Sequence, residues 1–250
     1  MGKYSILTHM PSTTRATLIF DIETIGEDFN SLDKVTQEAL THWIEREAED
    51  KDEYSRLLDE LKNGLGFSPL TGEIVAVGVL DIDKDKGGVY FQSPEKKSER
   101  FEEEGMTFEA LDEAGILRKF WDIASRYQVF VTFNGRSFDV PFLMVRSAAH
   151  KIPPTKNLMF GRYLNQQHAD AIHIDLFDQL TFQGAVRRKG GLHLWCRAFG
   201  IKSPKADDIT GDDVSALFKK KKYLEIARYN AGDLKATREL FEVWNTYFNI

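Results

Sequence analysis

Seven residues near the start of the chain, Thr17-Leu18-Ile19-Phe20-Asp21-Ile22-Glu23, constrain its fold more than any other stretch. The run is apolar and β-favouring, so it reads as a buried strand, yet it ends in two acids. Residues two apart on a strand leave the same face, which sets Asp21 and Glu23 side by side. Adjacent carboxylates repel unless a cation lies between them or one takes up a proton. A solvated strand end would also accommodate the pair, so this element alone leaves both readings open.

Around that strand the pattern alternates. Residues 1–16 are polar and unpatterned, a loose lead-in to one domain spanning 17–250. Residues 27–66 form a helical insert after the first strand, with Tyr54, Leu57, Leu58 and Leu61 at helical spacing. Residues 73–81 and 89–91 read as two further strands joined by a short turn. The charged stretch 94–105 reads as a surface loop, and Phe108 to Trp121 as a helix. Val129–Phe133 is a strand, followed by a helix for which Ser137 is the N-cap and Pro141 lies in the first turn. Ile172–Phe177 is a last strand, and everything from Asp212 onward is helical in pattern. Early strands followed by alternating helices and strands give an α/β domain with a mixed sheet flanked by helices.

Composition sets limits on this picture. Apolar residues make up 42% of the chain and charged residues 29%, enough for an ordinary core without disulfides. The single cysteine, Cys196, excludes an intrachain disulfide and sits in an apolar run as a packing residue. No stretch is long and apolar enough for a membrane span, and no signal-peptide pattern opens the chain, so a cytoplasmic location is expected. The net charge of −6 argues against a polyanionic partner, unless bound cations reverse the field locally.

Two more segments place acids where structure alone does not ask for them. Asp139 lies in the first helical turn after a buried strand, within Asn134-Gly135-Arg136-Ser137-Phe138-Asp139. Favourable dipole placement explains an acid there, but not the apolar side chains crowding it. Tyr229 and Asp233 are i and i+4 on the inner stripe of the C-terminal helix, where an unpaired aspartate is costly. Four carboxylates without a Cys/His cluster suit Mg²⁺ or Mn²⁺ rather than Zn²⁺. Two such ions can clamp the attacking and leaving oxygens of a phosphodiester undergoing in-line hydrolysis.

Asp21-Ile22-Glu23-Thr24, Asn134 to Phe142, and Tyr229 to Asp233 together resemble the three motifs of the DEDD, or DnaQ-like, 3′–5′ exonuclease superfamily. The likeness is to the tyrosine (DEDDy) branch related to the proofreading domain of family B DNA polymerases, and it extends over about residues 17–242, with 27–66 fitting poorly. The Pro69, Thr71 and Gly72 turn, His173-Ile174-Asp175-Leu176 and Leu192 to Lys202 also fit. The resemblance implies a ribonuclease-H-like fold, with Asp21, Glu23, Asp139 and Asp233 as ligands of two divalent cations. It makes Tyr229 the residue that orients the attacking water.

The implied substrate is a single-stranded DNA or RNA 3′ end, DNA favoured, released as nucleoside monophosphates, with a polymerase or repair assembly as a candidate partner. An exoribonuclease of the same fold and a non-catalytic nucleic-acid-binding module are the rival readings. Substrate contacts are expected from Thr24, Asn134 and Phe138 beside the motifs. Arg187, Arg188 and Lys189 form a basic segment just before a helix, suited to grip a backbone. The lysine run 219–222 reads first as solvated surface, and His173 as structural.

Overall fold

The computed structural model describes residues 15–96, 99–187, 189–203 and 211–249. Their centre is a seven-stranded mixed sheet, built from β1 (Thr17–Gly26), β2 (Gly72–Asp81), β3 (Lys86–Gln92), β4 (Arg100–Glu103), β5 (Met106–Leu111), β6 (Val129–Thr132) and β7 (Ile172–Asp175). Its order is β4-β5-β3-β2-β1-β6-β7. Strands β1, β2 and β3 pair antiparallel, whereas β1 with β6, β6 with β7, and β3 with β5 pair parallel.

Alternation along β1 divides the core in two. Leu18, Phe20 and Ile22 pack on one face with Phe120, Trp121 and Phe142, which come from α3 (Glu113–Ala124) and α4 (Asp139–Ala149). Ile19 packs on the other face with Leu234, Leu240 and Trp244 of α8 (Tyr223–Tyr247). Asp21 and Glu23 share the parity of Ile19, so the strand period itself sends them toward α8.

The stretch 94–105 contains a strand, and the following helix starts later than the sequence reading placed it. Strands β4 and β5 form a hairpin whose turn residues Glu104 and Gly105 both take positive φ, at 49° and 76°. That is the backbone a two-residue hairpin favours. Met106, Phe108 and Ala110 are buried in alternation along β5, so Phe108 and Leu111 belong to this strand and not to α3. Likewise α4 begins at Asp139 with Phe138 as its N-cap, not Ser137.

Glu113 joins the two helices to the sheet. It is 5% exposed, accepts from Arg146 Nε and Nη2 at 2.8 and 2.7 Å, and accepts the Ile74 N–H at 2.8 Å. His150 lies 2.6 Å from the same carboxylate. Burial alone would raise its pKa, but Arg146, the Ile74 amide and His150 outweigh burial and lower it. Removing one partner of a buried pair strands the other. We expect Glu113→Ala to destabilise the fold by about 3–5 kcal/mol, read as an early midpoint in urea. A midpoint equal to wild type would show that the network contributes nothing net.

The helical segment after β1 consists of α1 (Lys34–Glu47) and α2 (Lys51–Gly64), each begun by an aspartate N-cap, Asp33 and Asp50. A short 3-10 turn, Leu65–Phe67, returns the chain to the sheet. The remaining helices are α5 (Leu176–Leu180), α6 (Leu192–Phe199) and α7 (Val214–Lys219). Cys196 is fully buried within α6. Among the described residues no helix is long and apolar enough to cross a membrane.

Candidate active site

Strand β1 outruns its parallel neighbour. The β1–β6 pairing ends at Ile19 and Val131, so the two strands part where the acids begin. The freed N–H of Ile22 donates to Asp139 Oδ1 at 3.1 Å, which seats the first residue of α4 directly behind the Asp21–Glu23 edge. From the opposite side α8 lays Asn230, Asp233, Leu234 and Thr237 on the sheet, all buried, at the i, i+3, i+4, i+7 spacing of an inner stripe. Three segments distant in sequence thus deliver acids to one place.

Carboxylate oxygens of Asp21, Glu23 and Asp233 lie within 4.8 Å of one another. Asp139 borders this group and is 3% exposed. Burial raises its pKa to about 7, with the charges of Asp175 and Asp233 adding and two backbone N–H groups opposing. Asp21 is pushed well above the usual carboxylate range by burial first, then by Asp139, Asp233 and Glu23. Burial and Asp233 push Glu23 the same way. Ionising these acids together is therefore unfavourable unless a cation offsets their charge. The donors are all oxygens, so a hard divalent cation suits the cluster.

Within the protein the compensation comes largely from Asn230, a residue that sequence reasoning missed. It is fully buried, and its Nδ2 donates to Asp21 Oδ2 at 2.8 Å. It also opposes the rise at Glu23. Room for it comes from β2, where a Cβ on Gly78 would lie 2.0 Å from Asn230 Oδ1. The signal was present in the spacing, because Asn230 and Asp233 are i and i+3. We expect Asn230→Ala to reduce activity by about 10- to 100-fold and to weaken the response to added Mg²⁺. A variant with wild-type Mg²⁺ dependence would make Asn230 a packing residue.

Tyr229, one turn before Asp233, lines a cleft of about 450 Å³ with Asp21, Asp233, Asn134, Phe133 and His193. Its hydroxyl is pushed far above the ordinary phenol range, by burial first, then by Asp233, Glu23 and Asp21. Asn134 carries a left-handed backbone, φ 66°, and its N–H donates to Asp175 Oδ1 at 2.8 Å. The other oxygen of Asp175 accepts from Arg136 N–H at 2.9 Å. Asp175, also missed as a functional candidate, therefore holds the turn that leads into Asp139. His173 is structural: its ring lies 2.8 Å from Thr132 Oγ1 and 3.1 Å from the Leu158 carbonyl, with burial lowering its pKa to about 3.

A second cleft, about 590 Å³, adjoins Glu23 and is lined by Thr24, Phe67, Phe138 and the end of α2. Thr24 is committed within the protein, its hydroxyl donating to the Gly66 carbonyl at 2.7 Å. The described residues of the basic segment do not join these walls. Arg187 is exposed, the Lys189 ammonium sits 5.7 Å over the Phe177 ring, and neither lines the two clefts. Arg188 lies outside the described residues.

A family model for a predicted 3′–5′ exonuclease related to the exonuclease domain of PolB matches residues 73–247. DNA polymerase 1 of Sulfurisphaera ohwakuensis is 23% identical over 183 residues, and DNA polymerase 1 of Sulfolobus acidocaldarius 25% over 175. Each match covers 67% of this chain but only 20% of the polymerase. The family B DNA polymerase of Pyrobaculum calidifontis superposes with a TM-score of 0.55 at 18% identity, covering 92% of this chain and 24% of that one. That likeness shows the fold, a ribonuclease-H-like mixed sheet flanked by helices. The chain belongs to the family of predicted 3′–5′ exonucleases related to the exonuclease domain of PolB.

Proposed function

We propose that the chain is a metal-dependent 3′–5′ exonuclease of the tyrosine subgroup, acting on single-stranded nucleic acid with DNA favoured. The observation that carries this reading is the convergence of Asp21, Glu23 and Asp233, with Asp139 behind them and Tyr229 on the cleft wall. Asp21, Glu23, Asp139 and Asp233 would hold two divalent cations, Mg²⁺ or Mn²⁺. When bound, such ions neutralise the phosphodiester and stabilise charge developing on the attacking and leaving oxygens.

The chain's own residues do the rest. Burial and neighbouring acids keep the Tyr229 hydroxyl protonated, so it works as a hydrogen-bond donor that orients the attacking water. Asn230 fixes the Asp21 carboxylate by its 2.8 Å bond. Asn134 borders the same cleft as Asp21 and Asp233, where it can meet the terminal nucleotide. A polymerase or repair assembly is a candidate setting, since the relatives matched are polymerases.

The reading is tested with DNA and RNA strands labelled at either end. A 5′-labelled strand should shorten stepwise while a 3′-labelled one releases its label at once as a mononucleotide, with DNA cut faster. Release of mononucleotides from the 5′ end, or internal cuts, would overturn it. Faster digestion of RNA would replace only the sugar preference, making the chain an exoribonuclease.

A further inference from the structure

Between Asp139 and Asp170 the chain contains no acidic residue, although 39 of its 250 residues are Asp or Glu. The second half of this stretch is the long connection from α4 to β7, whose one regular turn is Leu164–Gln166. It leaves Phe160 and Tyr163 44% and 49% exposed, on a backbone that is fixed from several sides. The carbonyls of Leu158 and Met159 accept from the Arg136 guanidinium at 3.4 and 3.1 Å. Gln167 Nε2 donates to the Gly161 and His173 carbonyls at 3.3 and 3.1 Å. Gly161 takes φ 63°, and a Cβ there would lie 3.0 Å from the Gln166 carbonyl oxygen. The His168 ring packs on Phe160, centroids 4.0 Å apart. Exposed rings on a fixed backbone bind without an ordering cost.

This loop is continuous with the wall of the active-site cleft. Asp175 holds both Arg136, which carries the loop, and Asn134, which lines the cleft. A second path runs through α5. Phe177 packs edge-on against the cleft-lining Phe133 at 5.6 Å, and the Lys189 ammonium lies over the Phe177 ring. The next residue, Asp178, accepts from Arg162 of the loop at 2.8 Å, so its charge is offset. Lys156 donates to the Asp170 carbonyl at 2.8 Å, which places a cation beside the acid that ends the stretch. On a chain of net charge −6, an acid-free surface is where a polyanion meets least repulsion. Aromatic rings interleaved with cations are what a single strand stacks and tracks along.

Resting on the nuclease reading, we infer that residues 156–168 form a second nucleic-acid contact surface, separate from the hydrolytic cleft. Phe160 and Tyr163 stack bases upstream of the 3′ end, and Lys156 and Lys189 meet the backbone phosphates. The surface keeps hold of a strand between successive cuts, so digestion of long strands is processive. A strand too short to reach the loop is cut without its help.

The test uses the full chain with a long oligothymidylate and a trinucleotide, Ca²⁺ replacing Mg²⁺ for binding and Mg²⁺ present for kinetics. Phe160→Ala combined with Tyr163→Ala should raise KM for the long strand by about 5- to 100-fold and leave kcat/KM for the trinucleotide within about threefold. With an excess of unlabelled trap strand, the same variant should release fewer nucleotides per binding event. Asn165→Asp, which adds an acid at an exposed position and removes no packing, should weaken binding of the long strand alone. Wild-type KM and processivity in both folded variants would overturn the surface, leave the nuclease reading standing and assign the rings to a protein partner. Equal losses on both substrates would also overturn it, by placing the effect in the cleft. Long-strand binding that the variants weaken, without hydrolysis by wild type in Mg²⁺, would overturn the nuclease reading alone. No binding of any strand would overturn both.

Discussion

Asp21→Asn should abolish strand hydrolysis, by about 10³-fold or more, while making the metal-free protein more stable. The loss follows because one charge leaves the centre of the cluster, a larger change than removing a single positioned donor. The gain in stability follows from the same electrostatics. Asp21 is raised by burial and by three neighbouring acids, so ionising it in the folded state is unfavourable. An unfolded aspartate titrates near about 3.9. The stability linked to this group is therefore fully present below about pH 4 and is lost as the pH rises through its raised folded pKa.

The asparagine variant does not titrate, so its advantage over metal-free wild type should be absent near pH 4 and grow toward pH 8. Each kcal/mol would appear as about 2–4 °C in Tm. Added Mg²⁺ should raise the Tm of wild type and close the gap. Equal Tm values for both proteins at pH 8 in EDTA would mean that the acids do not repel as the geometry requires.

Tyr229→Phe should lower kcat by about 10- to 1000-fold with KM and Mg²⁺ dependence held near wild type. The hydroxyl borders the cleft with Asp21 and Asp233, and its environment drives its pKa upward. It cannot take a proton from water at neutral pH, so its contribution is a donated hydrogen bond. The pH–rate profile should consequently keep its shape in the variant while its height falls. A wild-type kcat with chemistry limiting would make Tyr229 a packing residue and remove the ground for the tyrosine subgroup. A loss repaired by excess Mg²⁺ would instead assign the ring to supporting the ion site.

Strand β1, the acids at its end and the inner stripe of α8 were legible because each is a local pattern: a period of two, a period of 3.6, and charge where apolar residues belong. Their meeting was legible as an inference from that misplaced charge and from the resemblance of the three segments to the exonuclease motifs. The hairpin β4–β5 was not legible, because Arg100 and Glu102 are the exposed side of an edge strand, where charge protects against strand addition. Phe108 and Leu111, members of β5, happen to continue the helical spacing of Ile116 and Phe120 backward, which hid the boundary at Asp112.

Asn230 was hidden for a physical reason. An amide carries no charge to look out of place, and its role depends on Gly78 of a strand more than 150 positions earlier. The basic segment at 187–189 drew attention by composition alone, and Arg187 and Lys189 do not reach either cleft.

The central claim is that Asp21, Glu23, Asp139 and Asp233 form a cation-dependent site for phosphodiester hydrolysis. Its most direct test is the rate of mononucleotide release from a 5′-labelled single strand, followed for wild type and Asp21→Asn in Mg²⁺ and in EDTA. The account predicts stepwise shortening by wild type in Mg²⁺ and an intact strand in the other three reactions. Shortening by wild type that proceeds equally in EDTA, or by folded Asp21→Asn at the wild-type rate, would contradict it.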